Sequence, residues 1–319
     1  MSLLQDMALH FGVGINDLAN IISTAPLRHK VYAIAKRHGG VRIIAQPSRE
    51  LKALQRYLLE TTLPAFQIHT AATGYVRGKN ILTNAQAHLG NRAILKLDFK
   101  DFFPSIKVED WEKLVRATKV RKIDRVDLSV SSKIMFWGQG SKSPKCLSIG
   151  APTSPALSNI ILFRLDIELA KRAADLGVVY TRYADDITVS SQTVEALLQF
   201  EALARRSVAA LKSPRLTFND DKRGLYTTGQ RRMVTGLVLT PTNQISIGRE
   251  RKRLISVMLH KVFIGESSPD KKFYLKGLLG FCLANEPDFV GAMRRKYGDE
   301  LVDGVLQFQA EGSENSGSR

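Results

Sequence analysis

The sequence contains little cysteine and no long apolar run. Its two cysteines, Cys146 and Cys282, lie far apart, and neither has a Cys or His at metal-ligand spacing. A disulfide framework and a zinc site are therefore unlikely to define the fold, and a reducing cytoplasm is the expected location. No apolar stretch approaches the roughly 20 residues that cross a bilayer, and Asp6 and His10 interrupt the region where a signal peptide would be apolar. We expect no association with a membrane.

Acidic residues are also in deficit. The 319 residues include 30 Asp and Glu against 47 Lys and Arg, which gives a formal net charge of +17. The first 150 residues carry 23 of the basic and 11 of the acidic residues. Such an excess favours a polyanionic partner, because each Lys or Arg placed near a phosphate releases condensed counterions. The alternative is a solvated basic surface, and charge alone does not separate the two.

Apolar periodicity predicts a chain of mixed helices and strands. Residues 31–46 alternate around two glycines, which indicates a β-hairpin. Residues 93–98 form an apolar strand that ends in Asp98, and two further strands flank the tight turn 183–186. Other strands are predicted near 216–219, 233–239 and 244–247, and helices near 3–24, 48–59, 81–89, 108–137, 153–165, 193–211, 249–263, 270–284 and 287–308. The Gly/Ser-rich residues 311–319 are predicted to be disordered.

Three carboxylates stand out, namely Asp98, Asp185 and Asp186. Because 87 residues separate the first two, only tertiary structure can bring them together. Carboxylates at the ends of adjacent buried strands repel each other unless a cation lies between them. Mg²⁺ prefers hard oxygen ligands and shares them with substrate phosphates, and two such ions suit phosphoryl transfer. The alternative is a solvated hairpin turn, in which acidic residues are common.

Three motifs in the same order resemble those of reverse transcriptases. Residues 98–105 resemble the first aspartate motif in its bacterial form, residues 150–155 resemble the small-residue turn that follows, and residues 183–186 resemble the catalytic tetrapeptide. The resemblance spans most of residues 30–250. It implies an RNA-directed DNA polymerase in which Asp98 and Asp185 bind two Mg²⁺ ions, with help from the Phe99 carbonyl. Asp186 is then the third carboxylate.

The same resemblance implies roles for residues around these carboxylates. Phe103 corresponds to the ring that excludes a ribose 2′-hydroxyl and so favours dNTPs, although a core phenylalanine is the alternative. Arg42 resembles the basic residue that holds the triphosphate, and Gly150 lies in the nucleotide-binding turn. Lys222 resembles the lysine that approaches the leaving pyrophosphate. Ile149 departs from the pattern, because many relatives have a Gln there that touches the incoming nucleotide.

Two shorter signatures resemble bacterial retron reverse transcriptases. Residues 84–88 resemble their Asn-Ala-x-x-His motif, and residues 234–236 resemble their Val-Thr-Gly motif. Each string is short, and a helix-end histidine or an ordinary strand turn is the alternative reading. The residues that the resemblance implies in RNA binding are Asn84, His88, Val234, Thr235 and Gly236.

Retron resemblance also implies the reaction and the partners. The enzyme would bind a dedicated structured non-coding RNA, start from an internal guanosine 2′-hydroxyl and polymerise dNTPs into branched RNA–DNA, called msDNA. It would act in defence against phage together with a separate effector protein. The rival interpretations are another bacterial reverse transcriptase, such as a group II intron maturase or a non-retron defence enzyme, and a non-catalytic RNA-binding relative. Retention of the three carboxylates argues against the last, and we expect neither maturase-type extra sequence nor an RNase H domain after the polymerase core.

The expected fold class is α/β, a right-hand polymerase. Fingers are assigned to residues 1–92 and 108–148, and a palm with an antiparallel sheet and packed helices to residues 93–107 and 149–240. A helical thumb follows in residues 241–310. Basic thumb residues expected to face the RNA or its product duplex are Arg249, Arg251, Lys252 and Arg253. A solvated helix face is the alternative for these four.

Overall fold

A computed structural model describes residues 2–35, 39–118 and 123–309, so the predicted tail at 311–319 lies outside the described residues. The helices are α1 (Leu3–Phe11), α2 (Ile15–Ser23), α3 (Arg49–Thr61), α4 (Ile81–Gln86), α5 (Phe102–Ser105), α6 (Val108–Ala117), α7 (Arg125–Met135), α8 (Thr153–Ile161), α9 (Phe163–Asp175), α10 (Val194–Ala210), α11 (Arg249–Phe263), α12 (Pro269–Asn285), α13 (Pro287–Tyr297) and α14 (Asp299–Gln307). The strands are β1 (His29–Ala35), β2 (Val41–Pro47), β3 (Ala93–Asp98), β4 (Val179–Tyr183), β5 (Asp186–Ser191), β6 (Gly224–Tyr226), β7 (Arg232–Val234), β8 (Leu237–Leu239) and β9 (Ile245–Ser246). None of the helices in these ranges is long and apolar enough to cross a membrane.

The chain divides into two compact units. The first comprises residues up to Asn80 together with Asn91–Leu225, and the second comprises Ile81–Gly90 and the residues from Tyr226 onward. The first unit contains the β1–β2 hairpin, most of the helices and the sheet that carries the predicted carboxylates. The second contains α4, the sheet β7-β8-β9 and the helices α11 to α14. The division into fingers, palm and thumb at the sequence-predicted boundaries stays a proposal.

The central sheet of the first unit has the strand order β4-β5-β3-β6. β5 pairs antiparallel with both β3 and β4, and apolar residues such as Ile94, Leu95 and Ile187 are completely buried. Runs of apolar residues suit a strand that is covered on both faces, whereas a strand with one solvated face alternates. The helices α9 and α10 pack against this sheet and supply Leu169 and Phe200 to the core.

Local signals fix several helix ends. α1 begins with a capping box, in which the Ser2 hydroxyl accepts a hydrogen bond from the Gln5 backbone and the Gln5 side chain accepts one from the Ser2 backbone. α3 begins after Ser48, whose hydroxyl accepts from the Leu51 backbone, and its leucine face is buried. These helices therefore start where the sequence places a polar cap before an apolar repeat.

Several predicted elements are divided in the structure. The helices predicted over 108–137 and 153–165 are divided into α6 and α7 and into α8 and α9. In three further elements a positive φ marks the division. The region predicted as one or two helices over 3–24 divides at Gly12, and the helix predicted over 287–308 divides at Gly298, both with a positive φ that an L side chain rarely adopts. The strand predicted over 233–239 is a hairpin, because Thr235 and Gly236 both have positive φ and form a two-residue turn. Glycine was the available signal in all three places.

The strand predicted near 216–219 is only an isolated bridge. Phe218 pairs with Phe99, the Lys100 backbone donates to the Thr217 carbonyl at 2.9 Å, and the Asn219 backbone donates to the Asp98 carbonyl at 2.8 Å. The regular strand on this side of β3 is β6.

Candidate active site

The three predicted carboxylates lie together at one end of the central sheet. In the antiparallel pairing of β3 with β5, Asp98 stands directly opposite Asp186. The backbone N–H of Phe99 donates to the carbonyl of Asp185 at 3.1 Å, which ties the end of β3 to the turn between β4 and β5. The sheet register thus brings together residues that are far apart in the sequence.

The environment of these groups disfavours bare negative charge. Burial raises the pKa of Asp98, and the nearby Asp185 carboxylate raises it further. Burial likewise raises the pKa of Asp185 and that of Asp186, each with a contribution from a neighbouring aspartate. Carboxylates in this position need a positive charge near them to stay ionised.

In the structure, two lysines supply that charge. The Lys222 ammonium lies 2.8 and 2.9 Å from the two carboxylate oxygens of Asp98, and the Lys96 ammonium lies 3.1 Å from Asp186. Lys222 was predicted from sequence to approach the nucleotide, and it is found at the edge of the same site. Lys96 was missed, although it stands two residues before Asp98 and is therefore a diagonal neighbour of Asp186 across the strand pair.

The donor set fits a divalent cation. Carboxylate oxygens are hard ligands, and the burial and mutual repulsion of the three aspartates are relieved by a cation of higher charge than lysine. No group of three or more His, Cys, Asp or Glu side chains is arranged to hold an ion within residues 2–35, 39–118 and 123–309. Both carboxylate oxygens of Asp98 contact the Lys222 ammonium, so a cation at Asp98 would compete with that lysine.

Buried side chains hold the turn at residues 183–186 in a strained conformation. Ala184 has φ 57°, in the left-handed region, and its carbonyl accepts a hydrogen bond from Arg182 at 3.0 Å. Arg182 is completely buried and forms a two-pronged ion pair with Asp166, with donor–acceptor distances of 2.6 and 2.8 Å. It also donates to the Asn159 side chain at 3.0 Å. A single guanidinium thus connects α8 and α9 to the turn that carries Asp185.

The segment that contains Gly74 packs against the same turn. The side chain of Asn159 donates to the carbonyl of Gly74 at 2.8 Å. A Cβ at Gly74 would lie 2.9 Å from the Ala184 nitrogen and 3.1 Å from the Tyr183 ring, so only glycine permits this approach. Sequence reasoning missed Gly74, Asn159 and Arg182, and an arginine within the strand before the acidic turn was the signal that was available.

The residues predicted to bind the nucleotide lie on elements of the same unit. Arg42 is exposed on β2, and its charge lowers the pKa of Asp185, although less than burial raises it. Gly150 has φ 112° and packs beside β2, since a Cβ there would lie 3.3 Å from the Ile44 side chain. The Ile149 carbonyl accepts from the Ala45 backbone at 3.0 Å. The turn that follows Ile149 is therefore anchored to the hairpin that carries Arg42.

Phe103 is more exposed than its neighbour Phe102, and a residue that contacts a nucleotide needs an accessible surface. Phe102 is buried and stacks with Phe99 at 5.8 Å between ring centroids, whereas Phe103 is only partly buried. Phe102 belongs to the core, and Phe103 packs against that core from a partly exposed position. Phe103 remains the candidate for the ring that excludes ribose.

We expect Phe103→Ala to let the enzyme incorporate ribonucleotides. Loss of a steric clash is worth about 1–3 kcal/mol, so the preference for dNTP over NTP should fall roughly 10- to 200-fold. Competition between dNTP and NTP in single-nucleotide extension measures this change. Phe103→Tyr keeps the ring and should keep the preference, and an unchanged preference in Phe103→Ala would mean that the ring is only a packing residue.

The two retron-like signatures meet in the second unit. Thr235 lies at the tip of the β7–β8 hairpin with φ 46°, and its hydroxyl donates to the Ile81 carbonyl in the first turn of α4 at 3.1 Å. Asn84, His88 and Val234 are completely buried in this structure, and their role in RNA binding stays a prediction. Burial also lowers the pKa of His88 to about 4. These three residues pack inside the second unit, while Thr235 and Gly236 remain partly exposed.

The four basic residues of α11 fall into two pairs. The Arg251 guanidinium lies over the Phe281 ring at 4.6 Å, and Lys252 forms an ion pair with Glu286. Arg251 and Lys252 therefore stabilise packing among the helices of this unit, and their contact with nucleic acid stays a prediction. Arg249 and Arg253 are exposed and remain candidates for that contact.

Adjacent carboxylates on an antiparallel sheet, with basic and aromatic residues around them, suit the chemistry of nucleotidyl transfer. The sequence matches the family described as reverse transcriptase (RNA-dependent DNA polymerase) over residues 34–248. It is 35% identical over 299 residues to the retron Ec83 reverse transcriptase of Escherichia coli, covering 93% of this chain and 96% of that one. It is 33% identical over 308 residues to the retron Mx65 reverse transcriptase of Myxococcus xanthus, covering 92% and 70%.

The chain belongs to the bacterial retron-type reverse transcriptases. It is an RNA-directed DNA polymerase that uses template RNA, dNTPs and divalent metal ions, and the predicted α/β polymerase fold with antiparallel sheets is confirmed. Among solved structures it is similar to the telomerase of Candida albicans in complex with a TWJ fragment of telomeric RNA, with a TM-score of 0.48 and 12% identity. That alignment covers 88% of this chain and 56% of the telomerase, so this chain spans little more than half of the telomerase's length.

Proposed function

We propose that this enzyme makes msDNA from its own structured non-coding RNA, starting at an internal guanosine 2′-hydroxyl, and acts with a separate effector protein against phage. The observation that carries the proposal is the hydrogen bond from Thr235 to Ile81. It joins the second retron-like signature to α4, the helix that carries Asn84 of the first signature, 154 residues from Thr235 at the bonded residue Ile81. The relatives named as retron enzymes support the same assignment.

Asp98, Asp185 and Asp186 are the proposed catalytic carboxylates. Two Mg²⁺ ions bound there, with the Phe99 carbonyl as a further ligand, would activate the attacking hydroxyl and stabilise charge on the leaving pyrophosphate. A new bond joins the hydroxyl oxygen to the α-phosphorus of the dNTP, and the bond to the pyrophosphate oxygen breaks. The Lys222 ammonium would neutralise charge on the pyrophosphate once the lysine has left Asp98.

Choice of the 2′-hydroxyl depends on how the RNA is held. An alkoxide attacks the α-phosphate from either the 2′ or the 3′ position, so orientation must select the oxygen. RNA is recognised through its shape, its unpaired bases and its 2′-hydroxyls, which suits a basic protein with a preformed module. Thr235, Gly236, Arg249 and Arg253 are the proposed contacts, because they are at least partly exposed.

Primer-free synthesis tests this function. Purified protein, RNA transcribed from the adjacent locus and dNTPs, without any primer, should give DNA covalently joined to RNA. An enzyme that cleaves 2′–5′ branches should release that DNA. If DNA appears only with an added primer, or is joined through a 3′–5′ bond, msDNA synthesis is refuted and a conventional reverse transcriptase remains.

We expect Thr235→Gly to separate RNA recognition from polymerisation. Glycine accepts the positive φ of the turn without strain, but it removes the hydroxyl that joins the hairpin to α4. Primer-free synthesis should fall about tenfold, the loss expected for roughly 1.4 kcal/mol, while extension of an annealed primer stays near the wild-type rate. An equal loss in both reactions would show that the module supports the fold alone.

A further inference from the structure

Tyr75 is an exposed aromatic residue at the candidate active site that the motifs do not explain. Its side chain is 57% exposed, and its backbone has φ 60°, a region that bulky residues rarely adopt. An exposed ring contributes little to the core, and glycine or asparagine would suit this backbone better. Its presence here calls for a reason outside folding.

The segment that carries Tyr75 is fixed against the acidic turn. Gly74 packs closely on Tyr183 and Ala184, and its carbonyl is held by Asn159. One residue earlier, the backbone N–H of Thr73 donates to the Arg182 carbonyl at 2.8 Å. On the other side, the Lys79 ammonium donates to the carbonyls of Thr70 and, at 3.1 Å, Ala72. Tyr75 is therefore held in place by its neighbours on both sides.

The Tyr75 ring forms an aromatic pair with Tyr183. Their centroids are 5.9 Å apart with a tilt of 43°, and Tyr183 belongs to the same turn as Asp185. Burial raises the pKa of Tyr75, and the charges of Tyr183 and Asp185 raise it further, which agrees with a position beside the carboxylates. The pair offers an apolar, partly solvated surface within the site.

We propose that Tyr75 and Tyr183 form a platform for the priming nucleotide, the one whose hydroxyl attacks the dNTP. This inference rests on the proposed active site at Asp98 and Asp185. The attacking hydroxyl must approach the proposed catalytic carboxylates, and the two rings lie beside Asp185. Contact between an aromatic ring and a base or sugar tolerates every sequence, as a polymerase requires.

Two variants of Tyr75 separate this role from a structural one. Tyr75→Gly removes the ring and relieves the backbone, so its thermal stability should equal or exceed that of the wild type. Its Kd for an annealed primer–template, measured by fluorescence anisotropy, should rise about tenfold, within the range for loss of one stacking contact. The KM for dNTP should stay near the wild-type value. Tyr75→Phe keeps the ring and should restore the affinity.

Tyr274→Ala is the matched control, because Tyr274 is 56% exposed on α12. It should bind primer–template like the wild type. An unchanged Kd in Tyr75→Gly would overturn the inference, and a rise in the KM for dNTP alone would overturn it in favour of a contact to the incoming nucleotide. The binding measurement needs no catalysis. If the wild-type protein binds primer–template but never extends it, the proposed function is refuted. The Kd still tests the role of Tyr75 in binding the primer.

Discussion

Asp185→Asn is expected to lower DNA synthesis at least about 1000-fold, because a lost metal ligand removes several kcal/mol of transition-state stabilisation. Asp185 stands in the turn that is tied to Phe99, and its carboxyl is held in an environment that disfavours an unpaired charge. An asparagine fills the same space and keeps the fold. RNA affinity should stay near the wild-type value, since phosphate contacts come from basic residues elsewhere.

Primer extension with Mg²⁺, next to a titration of RNA binding at fixed salt, measures both effects. Asp175→Asn is the matched control, because Asp175 is exposed at the end of α9 and the substitution changes the charge equally. The control should extend primers like the wild type. Appreciable extension by Asp185→Asn would remove Asp185 from the catalytic assignment, and a parallel loss of RNA binding would point to a damaged fold.

The second large effect is expected at the buried ion pair of Arg182 with Asp166. Arg182→Met leaves the Asp166 carboxylate buried without its partner, which costs about 3–5 kcal/mol of unfolding free energy. Asp166→Leu combined with Arg182→Met removes both charges and should regain much of that stability. Catalytic activity should stay low in this double variant, because the Ala184 carbonyl and the Asn159 side chain lose their common donor.

Displacement of the catalytic turn is expected to lower the reaction rate. A misplacement of about 1 Å can cost on the order of 100-fold in rate, so the double variant should stay at least that far below the wild type. Thermal or denaturant unfolding gives the stability, and primer extension at saturating substrate gives kcat. Recovery of stability and kcat together in the double variant would show that Arg182 supports the fold without positioning the turn.

Much of the local structure follows from the sequence because its causes are local. The strand predicted at 93–98 is confirmed as β3, and the hairpin predicted over 31–46 corresponds to β1 and β2. Apolar runs between turn residues, and polar caps before apolar repeats, act within a few residues of the chain. Positive φ at Gly12, Thr235 and Gly298 divides three regions that the apolar pattern continues.

By itself, the sequence determined the family, the mixed α/β class and the identity of the three carboxylates, because ordered motifs survive in the linear chain. Tertiary structure decided what surrounds them. Lys96 and Lys222 reach the aspartates, Arg182 lies beneath the turn, and Tyr75 lies beside it, only because strands and loops distant in the sequence pair there. The burial of His88, whose motif implied an RNA contact, likewise follows from tertiary packing. Register and burial depend on long-range packing, which a pattern of neighbouring residues does not contain.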